Sequence, residues 1–230
     1  MSFTIVLVYC VMPLALCTAA GLAVARARRL SQLRYCLRTV REYQFAPVDA
    51  SQLAQPIRQL FDKHTPTLLQ LRFQPIGDFR MKSKPVEVYD RILLSGDGQT
   101  LAAICAVLKG GGVAFISVLR DGTVVHTSSS KNPKPQRKLE PDDQLCMRYL
   151  PETALSEVYS GHLQALAGEG AARGATPLSQ RPDRFQEVMV YDQRIFQRWR
   201  YCYGDLPQEP AAPDFDQLLA ALNAPQAANC

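Results

Sequence analysis

The sequence is poor in the residues and motifs that most often carry catalysis or bind metals. It has only three histidines, His64, His126 and His162, which fall in three different predicted elements. It has no Walker loop, no nucleophile elbow, no His-Glu-x-x-His and no paired Cys-x-x-Cys sequence. These absences disfavour an enzyme and a metal site, and we expect no cofactor.

Charged residues are absent from residues 3–25, which form one long apolar run. At about 1.5 Å per residue, a helix over this run reaches roughly 35 Å, and a hydrocarbon core is about 30 Å thick. We therefore predict an N-terminal transmembrane helix over residues 3–25.

The alternative for this run is a signal peptide, because Ala23-Val24-Ala25 has the small-x-small form of a cleavage site and would release a secreted protein. No Lys or Arg precedes the run, whereas positive charges follow it closely and mark the side that stays in the cytoplasm. These charges are Arg26, Arg28, Arg29, Arg34, Arg38 and Arg41. We predict an uncleaved single pass with the N-terminus outside and the rest of the chain cytoplasmic.

Residues 26–45 are predicted to form a basic amphipathic juxtamembrane helix. Leu30, Leu33 and Leu37 recur at helical spacing, and Arg34, Arg38 and Arg41 occupy another face. The arginines are candidates for binding anionic headgroups at the membrane surface. The alternative is a stalk helix with a solvated basic face.

The formal net charge of +5 is confined to this segment. Without its six arginines, 20 Lys and Arg stand against 21 Asp and Glu. A nucleic-acid-binding protein needs its basic surface on the folded domain, so we predict no nucleic-acid partner.

Residues 46–205 are predicted to form one α+β domain with an antiparallel meander sheet of five or six strands. A change to period-two patterning, with short turns between the runs, indicates the strands. The runs are residues 71–81, 86–94, 99–108, 113–119 and 123–128, with 144–149 as a possible sixth. Residues 43–50 are interpreted as a hinge, and Gly110-Gly111-Gly112 as a turn or bulge.

Helices are predicted on both sides of these strands in sequence. A short helix is capped by Ser51 and ends before Pro66, a second runs from Pro151 to Gly168, and a third from about Pro182 to Gly204. Residues 206–230 form a Pro- and Ala-rich tail with one short amphipathic helix, residues 215–222. The strands over residues 99–108 and 113–119 are apolar on both faces. We therefore expect helices on both sides of the sheet, or a half-barrel.

Three ionisable residues lie where the hydrophobic period predicts apolar side chains. They are Asp90, His162 and Asp192, and each is expected to face the core. Burying an unpaired charge costs several kcal/mol, so these groups must find partners or border a cavity. They are polar links in the core, residues that line a ligand site, or a carboxylate–histidine pair for general base catalysis.

Three functions remain from the sequence alone. The first is a membrane-anchored domain that binds a partner protein or a small apolar ligand. The second is a membrane-associated hydrolase or transferase that uses Asp90 and His162, with Asp192 as a further candidate. The third is a purely structural subunit of a membrane complex.

Overall fold

The computed structural model describes residues 21–22, 24–27, 44–81, 87–107, 110–130, 144–202 and 213–225. Seven strands form one sheet in sequence order. They are β1 (Phe45–Pro47), β2 (Phe73–Met81), β3 (Val88–Ser95), β4 (Leu101–Val107), β5 (Gly110–Val118), β6 (Val124–Ser128) and β7 (Leu145–Tyr149). The helices are α1 (Gln55–Gln70), α2 (Leu155–Arg173), α3 (Phe185–Cys202) and α4 (Phe215–Asn223). The predicted α+β class is confirmed.

The sheet is mixed, which corrects the prediction of a purely antiparallel meander. Strands β1 to β6 pair antiparallel, but β7 runs parallel to β6 with Val124 opposite Leu145. A parallel neighbour needs a connection of about a dozen residues or more, and residues 129–144 provide one. The period-two pattern located this strand but carried no information on its direction.

The predicted hinge, residues 43–50, contains strand β1. The sheet therefore has seven strands, more than the five or six that were predicted. Phe45 in β1 is buried, and its ring lies edge-on to those of Phe79 (6.4 Å between centroids) and Phe185 (5.5 Å). This aromatic contact fixes the edge of the sheet. Asp49 then turns the chain by accepting a hydrogen bond from the Ser51 backbone N–H.

Helix α1 continues through Pro66 to Gln70, so the predicted end before Pro66 was wrong. Proline lacks the N–H for one helical hydrogen bond. The helix continues because its buried residues Ile57, Phe61 and Leu68 lie on both sides of the proline and pack against the sheet.

Helix α2 also passes the glycine predicted to end it. Gly168 lies inside the helix, which ends at Arg173 where Gly174 adopts φ 62°. That left-handed conformation favours glycine and closes a helix. The end of α2 is therefore set by the glycine that adopts this conformation, Gly174, and not by the first glycine in the sequence of the helix.

Both faces of the sheet are covered, as predicted. On the α3 face, the strand residues Ile92, Leu101 and Ile116 pack with residues of α3 and α4. On the α2 face, Leu93, Ile104 and other strand residues pack with α1 and α2. Successive residues of a strand point to opposite faces, so each strand contributes to both layers.

The predicted transmembrane span lies outside the described residues except for residues 21–22 and 24–25, which are helical. Arg26, also helical, is exposed; the other five arginines fall outside the described residues. None of the helices in the described part of the chain is both long enough and apolar enough to cross a membrane.

Candidate functional site

The three ionisable residues singled out from the sequence are all buried, as their positions predicted. Asp90 is 1% exposed, and His162 and Asp192 are fully buried. They come from β3, α2 and α3. Their surroundings differ, and that difference decides what each can do.

His162 lies on the α2 face, between the sheet and α2. Its Nε2 is 3.0 Å from Ser117 Oγ, and its Nδ1 is 3.1 Å from Thr127 Oγ1. Because the Ser117 hydroxyl donates to the Gln99 carbonyl (2.9 Å), it accepts from Nε2–H, and Thr127 then donates to Nδ1. The ring is held as a neutral tautomer, and no carboxylate touches it.

The neutral state of His162 makes the stability of the fold depend on pH. Burial, followed by the charges of His126 and Arg148, lowers the pKa of His162 to about 3. Between pH 6.5 and about 3 the unfolded chain binds a proton that the folded chain does not. We expect this group to reduce stability by about 1.4 kcal/mol per pH unit of acidification.

Urea unfolding followed through Trp199, the single tryptophan, measures this effect at pH 7, 5.5 and 4.5. The His162→Gln variant should lose less stability on acidification than the wild-type chain. His64→Gln, at a half-buried site, is the control. Parallel pH profiles for wild type and His162→Gln would contradict the assignment.

Asp90 lies on the α3 face beside Cys105, its cross-strand neighbour in β4. Its Oδ1 has no hydrogen-bond partner in the described structure. Burial raises the pKa of Asp90 to about 6, although a hydrogen bond from Cys105 opposes the shift. Burial, followed by the Asp90 carboxylate, raises the pKa of the Cys105 thiol, so this cysteine is a weak nucleophile.

Replacing Asp90 with asparagine should therefore stabilise the domain at neutral pH. The folded chain holds the Asp90 proton more tightly than the unfolded chain. Wild-type stability thus falls as pH rises from about 4 to about 6, by up to about 3 kcal/mol in total.

We expect Asp90→Asn to raise the free energy of unfolding at pH 7 and to change it little at pH 4. The exposed Asp62→Asn is the matched control. An Asp90→Asn variant less stable than wild type at pH 7 would show that the carboxylate has a favourable partner.

Asp192 on α3 pairs with His126 on β6, across the same α3 face. Asp192 Oδ1 lies 2.9 Å from His126 Nδ1, and Gln193 Nε2 donates to Asp192 Oδ2 at 3.2 Å. A carboxylate at Nδ1 favours the Nδ1–H tautomer and leaves the Nε2 lone pair available. The His126 side chain is 13% exposed, and its Nε2 forms no hydrogen bond to the described residues.

The structure therefore brings two of the three predicted residues to one side of the sheet and separates the third. Asp90 and Asp192 both face α3, close enough for each to raise the pKa of Cys105, whereas His162 lies on the opposite face. His126, the partner of Asp192, was not among the residues predicted from the sequence. The period-two pattern of β6, in which His126 lies on the same face as Val124 and Ser128, was the signal that could have placed it on the α3 face.

No group of three or more His, Cys, Asp or Glu side chains within the described ranges is arranged to hold a metal ion. Asp192 and His126 supply two donors only. The described geometry gives no support for a metal centre at this face.

A groove of about 500 Å³ lies on the surface between α3 and α4. Its floor is apolar and its rim carries carboxylates, amides and one guanidinium. The floor residues are Val190, Tyr191, Leu218 and Ala221; the rim residues are Asp183, Gln186, Glu187, Arg194, Asp214 and Gln217. Arg181 and Asp214 fix α4, the first through bonds to the Leu222 and Ala224 carbonyls and the second as its N-cap.

A second hollow, of about 360 Å³, lies beside Arg91 on the other side of the sheet. Each of the three guanidinium nitrogens makes a hydrogen bond: Nε (2.7 Å) and Nη2 (2.8 Å) donate to Asp78, and Nη1 (3.1 Å) donates to Thr65. It also lies 4.7 Å from the centre of the Phe61 ring. This arrangement links α1 to β2 and β3, so the guanidinium has a structural role in the described fold.

The fold and these sites define an α+β protein with a mixed seven-stranded sheet, a closed core and an open groove on its α3 face. No family model, curated protein or solved structure matches the chain.

Proposed function

We propose that this chain is a single-pass membrane protein whose cytoplasmic domain binds a partner protein in the groove between α3 and α4. The uncharged run over residues 3–25 and the arginines that follow support the tether and its orientation. The groove is the observation that carries the binding function. It is an open concave surface of the described residues at which apolar and polar groups converge.

The lining of the groove suits a polypeptide better than a small apolar ligand. Val190 and Leu218 offer an apolar floor for side chains, and the amides of Gln186 and Gln217 can each donate to and accept from a peptide backbone. A small apolar ligand needs a site that encloses most of its surface. Leu218 and Leu222 are buried against this chain's own body, so α4 forms a wall of the groove.

Photo-crosslinking from the groove tests this function in the full chain, in the membranes of the expressing cell. A photoreactive amino acid at Gln186 should yield one discrete crosslinked species. The same group at Glu157, exposed on α2 on the opposite side of the sheet, should not. Val190→Arg, which places a charge on the apolar floor, should remove the species. Equal products from Gln186 and Glu157 would contradict the proposal.

The pair of Asp192 and His126 favours one alternative, a membrane-associated hydrolase or transferase. The carboxylate orients the ring, and Nε2, on a side chain that is 13% exposed, is suited to accept a proton from a substrate or water. This assigns general base catalysis to His126 rather than to His162. A hydrolase activity of the purified chain that is lost in His126→Gln but kept in His162→Gln would favour this alternative over partner binding.

A further inference from the structure

We propose that the groove binds the chain's own arginine-rich segment, residues 26–41, and that anionic lipid competes for the same arginines. This inference rests on the proposed role of the groove as a peptide-binding site, and it names the occupant. Three observations carry it: opposite charge at the two ends of the chain, the apolar floor of the groove, and the point at which the chain enters the domain.

The two ends of the chain carry opposite charge. Residues 26–41 contain six arginines and no acidic residue. Residues 204–230, which include α4, contain four acidic residues and no Lys or Arg. The end of the chain that contains α4 is therefore opposite in charge to the basic segment. The acidic residues of α4 itself, Asp214 and Asp216, lie at its beginning.

Of the acidic side chains on the rim, Asp214 at the beginning of α4 makes no ion pair with the described residues, and the Arg194 guanidinium shares the rim with it. Asp183 and Glu187 are partly neutralised by Arg181 at 2.9 Å and Arg184 at 3.4 Å. Asp216 is exposed and makes no ion pair with the residues described. Arginine side chains bound beside α4 would therefore gain the attraction of α4 without displacing an existing ion pair.

The floor of the groove fits the apolar side of the same segment. Val190 and Leu218 line the groove together with Tyr191 and Ala221. In the segment, Leu30, Leu33 and Leu37 recur at the spacing of one helix face, flanked by arginines. An amphipathic helix that lays its apolar face in a groove is a common mode of peptide recognition.

The chain enters the domain beside the groove. The Phe45 ring lies 5.5 Å from that of Phe185, the first residue of α3. Arg181 binds the carbonyls of Leu222 and Ala224, which places the end of α4 near the same point. An extended chain covers about 3.3 Å per residue, so the four residues from Arg41 to Phe45 span up to about 13 Å. The arginines can therefore reach the groove.

Lipid competes because the same arginines are suited to anionic headgroups. Each one near an anionic surface is attracted to it, and the attraction weakens as ionic strength rises. A segment that binds either the groove or the membrane would make access to the groove depend on the lipid composition.

The test uses a photoreactive amino acid at Gln217, on the exposed rim, in the full chain reconstituted in neutral phosphatidylcholine nanodiscs. Mass spectrometry should find the crosslinks in residues 26–41, and the probe at Glu157 should give none there. Reversing Arg34 and Arg38 to Glu should reduce the crosslinked fraction about fivefold, as expected for two exposed ion pairs. Nanodiscs with phosphatidylserine should also reduce it.

Three results would overturn this proposal. They are the absence of crosslinks to residues 26–41 in neutral nanodiscs, an equal yield from the double reversal variant, and crosslinks that join isotopically distinct copies of the chain. In the first case the membranes of the expressing cell separate the two proposals. If the probe at Gln186 gives a discrete product with another protein there, the groove remains a partner-binding site. If it gives no such product, both the partner-binding proposal and the proposal for residues 26–41 are contradicted.

Discussion

Replacing His126 with leucine is expected to lower the free energy of unfolding by about 3 kcal/mol or more at pH 7. The substitution leaves the Asp192 carboxylate fully buried, with Gln193 as its remaining hydrogen-bond donor. Removing the main hydrogen-bond donor of a buried carboxylate costs about 3 kcal/mol or more, because the buried charge loses its compensation. Urea unfolding followed through Trp199 measures the loss.

A double variant separates the effect of the charge from that of side-chain packing. Asp192→Asn in the His126→Leu background removes the stranded charge, so the double variant should be more stable than His126→Leu alone. If the two have equal stability, the cost comes from lost packing, and His126 does not compensate the Asp192 charge.

Replacing Gly111 with alanine is the second large expected effect, a loss of about 3 kcal/mol. A Cβ at Gly111 would overlap the Cys105 carbonyl oxygen and would lie 2.5 Å from Leu60 Cδ2. The first contact is with the backbone of β4 and cannot be relieved by a rotamer change. The strands or α1 must shift, and thermal unfolding of the purified chain measures the result.

Gly168 provides the matched control for this substitution. It lies inside α2, is exposed, and has nothing within 4 Å of a built Cβ. Gly168→Ala should therefore stabilise the chain, by about 0.5–1 kcal/mol, through helix propensity alone. A Gly111→Ala variant as stable as Gly168→Ala would show that the approach of α1 to β5 is looser than described.

The sequence predicted the strands because burial on two faces leaves a direct signal. In β4, Leu101 and Ala103 pack on the α3 face while Ala102 and Ile104 pack on the α2 face. An apolar residue at each of these positions therefore indicated a sheet covered on both sides. The direction of β7 left no such signal, because parallel and antiparallel edge strands bury the same alternate residues.

The partners of the buried polar residues could not be read from the sequence. The hydrophobic period shows that Asp192 and His162 face the sheet, but not which face of the sheet each helix covers. Which face each helix covers depends on the path of the chain from β7 into α2 and then α3. Once it is made, His126 and Thr127, adjacent in β6, bind Asp192 and His162 on opposite faces.

Residues 43–50 show the limit of turn signals in locating domain boundaries. Pro47 and Asp49 predicted a hinge, and Asp49 does cap a turn. The same stretch nevertheless supplies β1, because the Phe45 ring is buried against Phe79 and Phe185. One aromatic residue in tertiary contact outweighed the local preference, and the chain therefore enters the domain beside α3.

The membrane tether is tested most directly by protease protection of the full chain with a tag at its C-terminus. The account predicts a product of the full 25.6 kDa plus the tag, retained in the membrane pellet after an alkaline wash. It also predicts that protease added to intact cells leaves the tag in place and removes it once the membrane is opened. A chain shortened by cleavage after Ala25, or a tag digested in intact cells, would contradict the single-pass cytoplasmic assignment.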